Sequence, residues 1–211
     1  MNCKLIRMSG FLSLCLLLLA ENVAGAAVKS APSQSDRSNN AWTVEQVVAS
    51  LKEGREPSVS FEEATYSSLL TEPLIVRGTL RFTPPSTLEK EVLEPYRERY
   101  IIEGDRVTFE SERKHTKKTI SLEDYPALRS LVEAFRASFT GDVEQLKRIY
   151  ETTVEGTSRQ WTLLLRPHDP IGKSVVDYML LSGSEGRIAT IAIRAPDGDR
   201  SVMTLRRGHS K

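Results

Sequence analysis

The sequence predicts a mainly β fold with two helices, of the α+β class: a strongly curved antiparallel sheet covered by a helical lid. From Ser58 onward the apolar period changes from 3.6 to 2, and turn residues recur at short intervals, as in an antiparallel meander. No helical pattern separates the strands of the last third, so crossover parallel pairing has no connecting element. Two short amphipathic stripes are too little to cover a sheet of about ten strands, which must therefore wrap its apolar face inward and lay the helices across the opening. That shape tends to leave an apolar cavity.

The chain begins with the features of an export signal. Lys4 and Arg7 form a positive start, Phe11 to Ala20 an apolar run, and Ala24-Gly25-Ala26 the small residues that signal peptidase requires. The run is too short for a spanning helix, which needs roughly 20 apolar residues, and Glu21 and Asn22 stop it. Residues 1–26 are read as a signal peptide, 27–41 as a solvated leader rich in Ser, Asn, Ala and Gln, and 42–211 as one domain. Both cysteines, Cys3 and Cys15, fall in the segment to be removed, so the mature chain has no thiol for a disulfide, a metal or a nucleophile. Cys15 does not suit lipid attachment, because Leu14 before it is too bulky and leucines follow.

The first helix starts at Thr43, an N-cap with Gln46 three residues later to complete a capping box, and with Trp42 and Val47 placed as a hydrophobic staple. Val44, Val47, Val48 and Leu51 form its apolar stripe and Gly54 ends it. In the next clear strand Leu74, Val76, Leu80 and Phe82 face one way, while Gly78 on the same face leaves room for a neighbour or a bend. Pro84-Pro85 breaks that strand. Leu88 to Leu93 and Arg99 to Glu103 follow, the second with Tyr100 and Ile102 on one face, and Gly104-Asp105 turns into Val107 and Phe109.

After a polar strand near Lys117 to Leu122, Pro126 opens a second helix with Leu128, Leu131, Val132, Phe135 and Phe139 as its stripe and Gly141 as its end. Further strands are expected at about 146–154, 160–166, 174–182, 187–194 and 199–206, with hairpins at Gly183-Ser184-Glu185-Gly186 and Asp197-Gly198-Asp199.

Composition excludes several functions. Without residues 1–26 the basic and acidic residues number 27 each, so the net charge is zero and the chain is not a nucleic-acid binder. The three histidines stand apart: His115 in a basic loop, His168 in a Pro-rich turn and His209 in the tail, with no partner at ligand spacing. Ser184 lies between strands and lacks the strand-to-helix elbow of a hydrolase serine. Asp197 and Asp199 read as hairpin residues, lacking the further oxygens that calcium requires. The basic run from Arg113 to Lys118 is a solvated loop or a local contact to a membrane or exporter. No catalytic residue, metal site or cofactor is predicted.

The stretch Gly78-Thr79-Leu80-Arg81-Phe82-Thr83-Pro84-Pro85 resembles the periplasmic lipoprotein carriers of the LolA type, especially their divergent relatives. So do Tyr100 to Ile102, Gly104 with Val107 and Phe109, Phe139-Thr140-Gly141-Asp142, Trp161 to Pro167, and the hairpins from Gly186 to Leu205. The resemblance implies an unclosed β-barrel with a helical lid, whose interior shelters acyl chains during passage through the periplasm. One departure stands at Pro84. There the lipoprotein carriers have an arginine that helps hold the lid closed, so the cargo stays open between a lipoprotein, another lipid and a lipid-linked pigment.

The cavity lining expected on this basis is Leu74, Val76, Leu80, Phe82, Tyr100, Ile102, Val107, Phe109, Trp161, Leu163 and Leu165, with Val47, Leu51, Leu131 and Phe135 on the lid. The same residues would also suit a filled β core. The expected partners are a lipid or lipidated cargo and, transiently, an inner-membrane exporter and an outer-membrane acceptor of a monomeric periplasmic carrier. Two other readings are a non-transporting sensor or chaperone on the same fold, and an acyl-handling enzyme that uses His115 or His168.

Overall fold

A computed structural model describes residues 41–207 apart from Arg55 and Pro85. The expected signal peptide, all but the last residue of the leader, and His209 lie outside the described residues. In chain order the elements are helix α1 (Val44–Glu53), strands β1 (Ser58–Tyr66), β2 (Leu74–Thr83), β3 (Thr87–Glu94), β4 (Glu98–Glu103), β5 (Arg106–Ser111) and β6 (Thr116–Ser121), a 3-10 turn (Leu122–Asp124), helices α2 (Pro126–Thr140) and α3 (Val143–Ile149), β7 (Tyr150–Thr157), β8 (Gln160–Pro167), helix α4 (Pro170–Val175), β9 (Tyr178–Ser184), β10 (Arg187–Arg194) and β11 (Arg200–Arg207).

All the strands belong to one antiparallel sheet in the order β6-β5-β4-β3-β2-β1-β11-β10-β9-β8-β7. Successive strands pair everywhere except between β6 and β7, which are the two edges. There the chain leaves the sheet, and α2 and α3 carry it across the opening. The pairing of β1 with β11, from Val59 opposite Arg207 to Tyr66 opposite Arg200, joins the two halves. The result is an unclosed barrel. Its edges are blunted: β6 carries exposed Lys117 and Lys118, and β7 carries Glu151 and Glu155.

The local expectations for the first helices are met. Thr43 accepts from the Gln46 amide and Gln46 returns the bond, closing the capping box, and Val44, Val47, Val48 and Leu51 are buried. Pro126 is the first residue of α2, and Gly141 ends it in the left-handed region at φ 88°. Gly54 also ends its helix, for a different reason: a Cβ there would sit 2.5 Å from the Gly186 carbonyl oxygen, so the residue serves close backbone packing. The β9–β10 hairpin is a two-residue turn in which Glu185 and Gly186 both have positive φ, 47° and 74°.

Two segments differ from expectation. Residues 146–149, expected to begin a strand, belong instead to α3, because Asp142 caps that helix by accepting from the Gln145 amide at 2.9 Å while Lys147 and Arg148 lie in its last turn. Residues 170–175 form α4, capped by Asp169 through the Gly172 amide at 2.8 Å with Pro170 in the first turn, so the next strand starts only at Tyr178. The described residues therefore contain four helices where two were expected.

The interior divides in two. One cluster joins Trp161, Leu163, Leu165, Met179 and Leu181 of the β7–β10 half to Val47 and Leu51 of α1 and to Leu131, Ala134 and Ala137 of α2. The other joins Phe61, Val76, Leu80, Phe82, Tyr100, Ile102, Val107 and Phe109 of the β1–β5 half to Leu128 and Val132 of α2. Met203 and Leu205 of β11 touch both. The sheet thus curls around α2, which buries residues on both sides.

Candidate functional site

Around Trp161 the interior is packed. Trp161, 1 % exposed, is opposed by Gly156 on β7 and Gly183 on β9, and a Cβ on Gly183 would come within 2.6 Å of its ring. Gly183 thus makes room for the indole, while Gly156, at φ 100°, would put a Cβ 2.1 Å from the Gln160 carbonyl oxygen and so serves the hairpin backbone. The indole Nε1 is buried without a hydrogen-bond partner. Leu163 and Leu165 follow Trp161 along the same inward face and are equally buried.

The hollow lies between the helices and a wall drawn from both halves of the sheet, β1–β4 together with β10 and β11. A mouth of about 360 Å³ opens at the end of the barrel where α1 and α2 finish. Its walls include Leu51, Val59, Leu80, Phe82, Leu88, Phe139, Ile188 and Leu205. Phe139 of α2 closes over Phe82 of β2, the rings stacked at 5.3 Å and 24°. Glu56, Arg187, Arg206 and Arg207 also border the mouth, with Arg207 3.6 Å from Glu56. Deeper, under Leu131, Val132 and Phe135 of α2, lies a chamber of about 80 Å³ floored by Leu80, Leu88, Tyr100, Ile102, Ile191, Ile193 and Met203. Leu80 and Leu88 border both spaces.

Three polar residues also border the chamber: Glu63 of β1, Lys90 of β3 and Ser201 of β11. Glu63 is 4 % exposed, its Oε2 bonded by the Lys90 ammonium and its Oε1 by the Ser201 hydroxyl at 3.0 Å. Glu63 is paired with Val76 and Lys90 with Leu80, so the ion pair spans β2 over the inward-facing Gly78. That glycine supplies both the room and the bend expected of it. The β2–β3 register shifts between Arg77 and Gly78, and a Cβ on Gly78 would lie 1.8 Å from the Glu91 carbonyl oxygen. A second buried carboxylate, Glu98, accepts from the Tyr100 hydroxyl at 2.9 Å and the Ser111 hydroxyl at 3.4 Å, orienting the Tyr100 ring as chamber wall.

Helix α2 is tied across the opening by Arg136. Its Nε donates to the Ser86 carbonyl at 3.2 Å and its Nη2 to the Gly104 carbonyl at 2.5 Å, so one side chain grips the β2–β3 and β4–β5 turns. Partial burial pushes its guanidinium pKa down from the usual arginine range. Pro84, two residues before Ser86, has no side-chain donor, and the tie described here comes from the helix. On the other side Lys147 of α3 bonds Glu45 of α1, and this bond is the main reason the Glu45 carboxyl is lowered from 4.5 to about 2.

The residues expected to line a cavity therefore separate. Leu80, Phe82, Tyr100 and Ile102 border the mouth or the chamber, as do Leu51, Leu131 and Phe135 among the lid residues. Val76, Val107, Phe109, Trp161, Leu163, Leu165 and Val47 are buried in the packed clusters, and Leu74 is half-buried against the second; none of these borders either space. Glu63, Lys90, Ser201, Leu88 and Arg136 were not expected. Glu63 and Lys90 carried a signal, since Phe61-Glu63-Thr65 and Leu88-Lys90-Val92 each place a charge on an apolar face.

The other polar candidates fall outside this region. His115 sits in the β5–β6 turn at φ 45°, and His168 Nε2 lies 3.2 Å from the Lys147 carbonyl oxygen. Asp197 and Asp199 hold their own turn, Asp199 also accepting from the Ser68 amide at 3.2 Å.

Among solved structures, a LolA superfamily protein from Nitrosomonas europaea is 12 % identical, covering 78 % of this chain and 92 % of that one, with a TM-score of 0.42. LprF from Mycobacterium bovis is 11 % identical, covering 77 % and 90 %, with a TM-score of 0.35. A chain of the complex between the CwlD amidase from Clostridioides difficile and the GerS lipoprotein is 14 % identical, covering 79 % and 92 %, with a TM-score of 0.36. No curated protein matches in sequence. Residues 36–210 match the family described as outer membrane lipoprotein carrier protein LolA-like. The chain belongs to that LolA-like family.

Proposed function

We propose that this protein is a periplasmic carrier that takes up the acyl chains of a lipid or lipidated protein at the inner membrane and releases them towards the outer membrane. The observation that carries the reading is the mouth of about 360 Å³ between the sheet and the ends of α1 and α2. That volume lies in the range of roughly 300–1,000 Å³ common to small-ligand sites. Its walls are mainly aliphatic and aromatic, so each buried methylene is worth about 0.8 kcal/mol without covalent chemistry. The site residues are Leu80, Phe82, Leu88 and Leu205 on the sheet, Leu51 and Phe139 at the helix ends, and the chamber wall beyond them. No catalytic step, metal or cofactor enters the mechanism.

Uptake begins when the carboxyl end of α2 lifts. Phe139 leaves Phe82, Arg136 releases the two turn carbonyls, and an acyl chain takes the place of the helix side chains. The protein is proposed to work as a monomer, with an inner-membrane exporter and an outer-membrane acceptor as transient partners. No helix among the described residues is long and apolar enough to cross a membrane.

Purification from the native host under mild conditions, followed by mass spectrometry of the extract, should recover a bound acylated molecule. An empty protein counts against carriage. Transfer of that molecule between donor and acceptor membranes separates a carrier from a sensor or chaperone, which binds without delivering.

A further inference from the structure

Resting on that reading, we infer that the inner chamber recognises an acceptor oxygen of the cargo, an acyl carbonyl or carboxylate, through the ammonium of Lys90. The lysine stands on the inward face of β3 between Leu88 and Val92, and Glu63, Ser201 and Lys90 together form the polar part of an otherwise apolar wall. An ammonium has three N–H donors. At Lys90 one is used by Glu63 Oε2, and the cation sits 5.2 Å from the centre of the Phe61 ring, which attracts its charge and accepts no conventional hydrogen bond. Glu63 is held on its other oxygen by Ser201, so the pair is fixed in place while donor capacity on Lys90 remains.

This arrangement makes the chamber selective. A plain hydrocarbon tail pushed against Lys90 removes water from the ammonium and gives nothing back, whereas a carbonyl or carboxylate oxygen replaces the water. A site with a buried donor discriminates against a ligand lacking its acceptor far more strongly than an apolar wall discriminates between chains. The cargo class that follows is an acyl chain with a carbonyl or carboxylate oxygen reaching the depth of Leu80 and Leu88, the two residues shared by mouth and chamber.

The test uses the full mature chain, neutral Nile red as a cavity probe, and three competitors of equal chain length delivered from cyclodextrin: a long-chain fatty acid, its methyl ester and the alkane. The acid and the ester should displace the dye at concentrations roughly tenfold below the alkane, equivalent to about 1.4 kcal/mol. The paired variant Glu63→Gln with Lys90→Met, which removes both charges together, should bring all three within about twofold of one another. An acid that outcompetes the ester assigns the site to a free carboxylate, and equal competition assigns it to the carbonyl that both share. The infrared carbonyl band of isotope-labelled ester bound to the wild-type protein should move to lower frequency, a readout that does not depend on the variant folding. An alkane that competes as well as the ester in the wild-type protein, a preference that survives the paired substitution, or an unshifted band would overturn the inference while leaving an apolar carrier in place. Failure of all three competitors and of Nile red to bind would instead remove the carrier reading, and this inference with it.

Discussion

Replacing Arg136 by methionine keeps the aliphatic stem against its neighbours and removes the grip of α2 on the Ser86 and Gly104 carbonyls. A hydrogen bond from a charged donor contributes about 1.5–3 kcal/mol net. One of these two bonds faces solvent, so the pair together is worth about 2–3 kcal/mol in the closed position. At about 1.4 kcal/mol per factor of ten, the open population rises roughly 30- to 150-fold. Native-state hydrogen exchange reads this directly. The amides of Leu131 to Phe135 should exchange faster by that factor, while those of β8, in the packed region around Trp161, keep their protection. Arg136→Lys should fall between the two, because an ammonium lacks the planar fork that spans both carbonyls. Acceleration below about twofold in α2, or equal acceleration in α2 and β8, would show that Arg136 does not hold the helix closed.

Gly186→Ala puts a Cβ 2.4 Å from the Ser50 carbonyl at φ 74°, and should cost at least about 1–3 kcal/mol in a urea melt. Trp161→Ala should cost about 3–5 kcal/mol; Trp161→Phe should cost far less, because it also removes the unpaired Nε1, and neither should alter the acid-to-alkane preference. Leu88→Trp, at the junction of mouth and chamber, should lower the amount of co-purified lipid several-fold with little change in melting temperature. Glu45 has a folded pKa of about 2 against 4.5, so its contribution is complete above the unfolded value and fades as pH falls from about 4.5 through 2. Both partners are largely solvent-facing, so the effect is below about 1 kcal/mol; in acid melts the wild-type protein should lose its advantage over Glu45→Gln across that window, and a constant difference would contradict the assignment.

The hollow and the packed parts of the interior use the same kinds of residue. On the page Leu80 and Leu163 are equivalent: each is an apolar residue on the inward face of a strand with polar neighbours pointing away. What separates them is the neighbour across the sheet. Trp161 fills its space because Gly183, on β9, stands aside for its ring. The space under α2 is lined by no tryptophan, and a charged pair crosses its floor. Arg136 was equally unreadable, since an arginine beside Phe135 on an amphipathic helix ordinarily faces water, and its two carbonyl partners lie 50 and 32 residues away.

Local order decided what the sequence could decide alone. Period-2 alternation, the Thr43 capping box, Pro126 and the glycine turns are properties of a few consecutive residues, so the antiparallel class, the two principal helices and most hairpins could be read directly. The same local rules were available for α3 and α4, whose Asp142 and Asp169 caps resemble loop residues because each helix is only six or seven residues long. Tertiary structure alone decided which apolar faces meet one another and which enclose space, where the Glu63–Lys90 pair stands, and what ties α2 down. Each of these depends on residues brought together by strand register across the sheet, and the free energy of such contacts belongs to the pair and to neither residue alone.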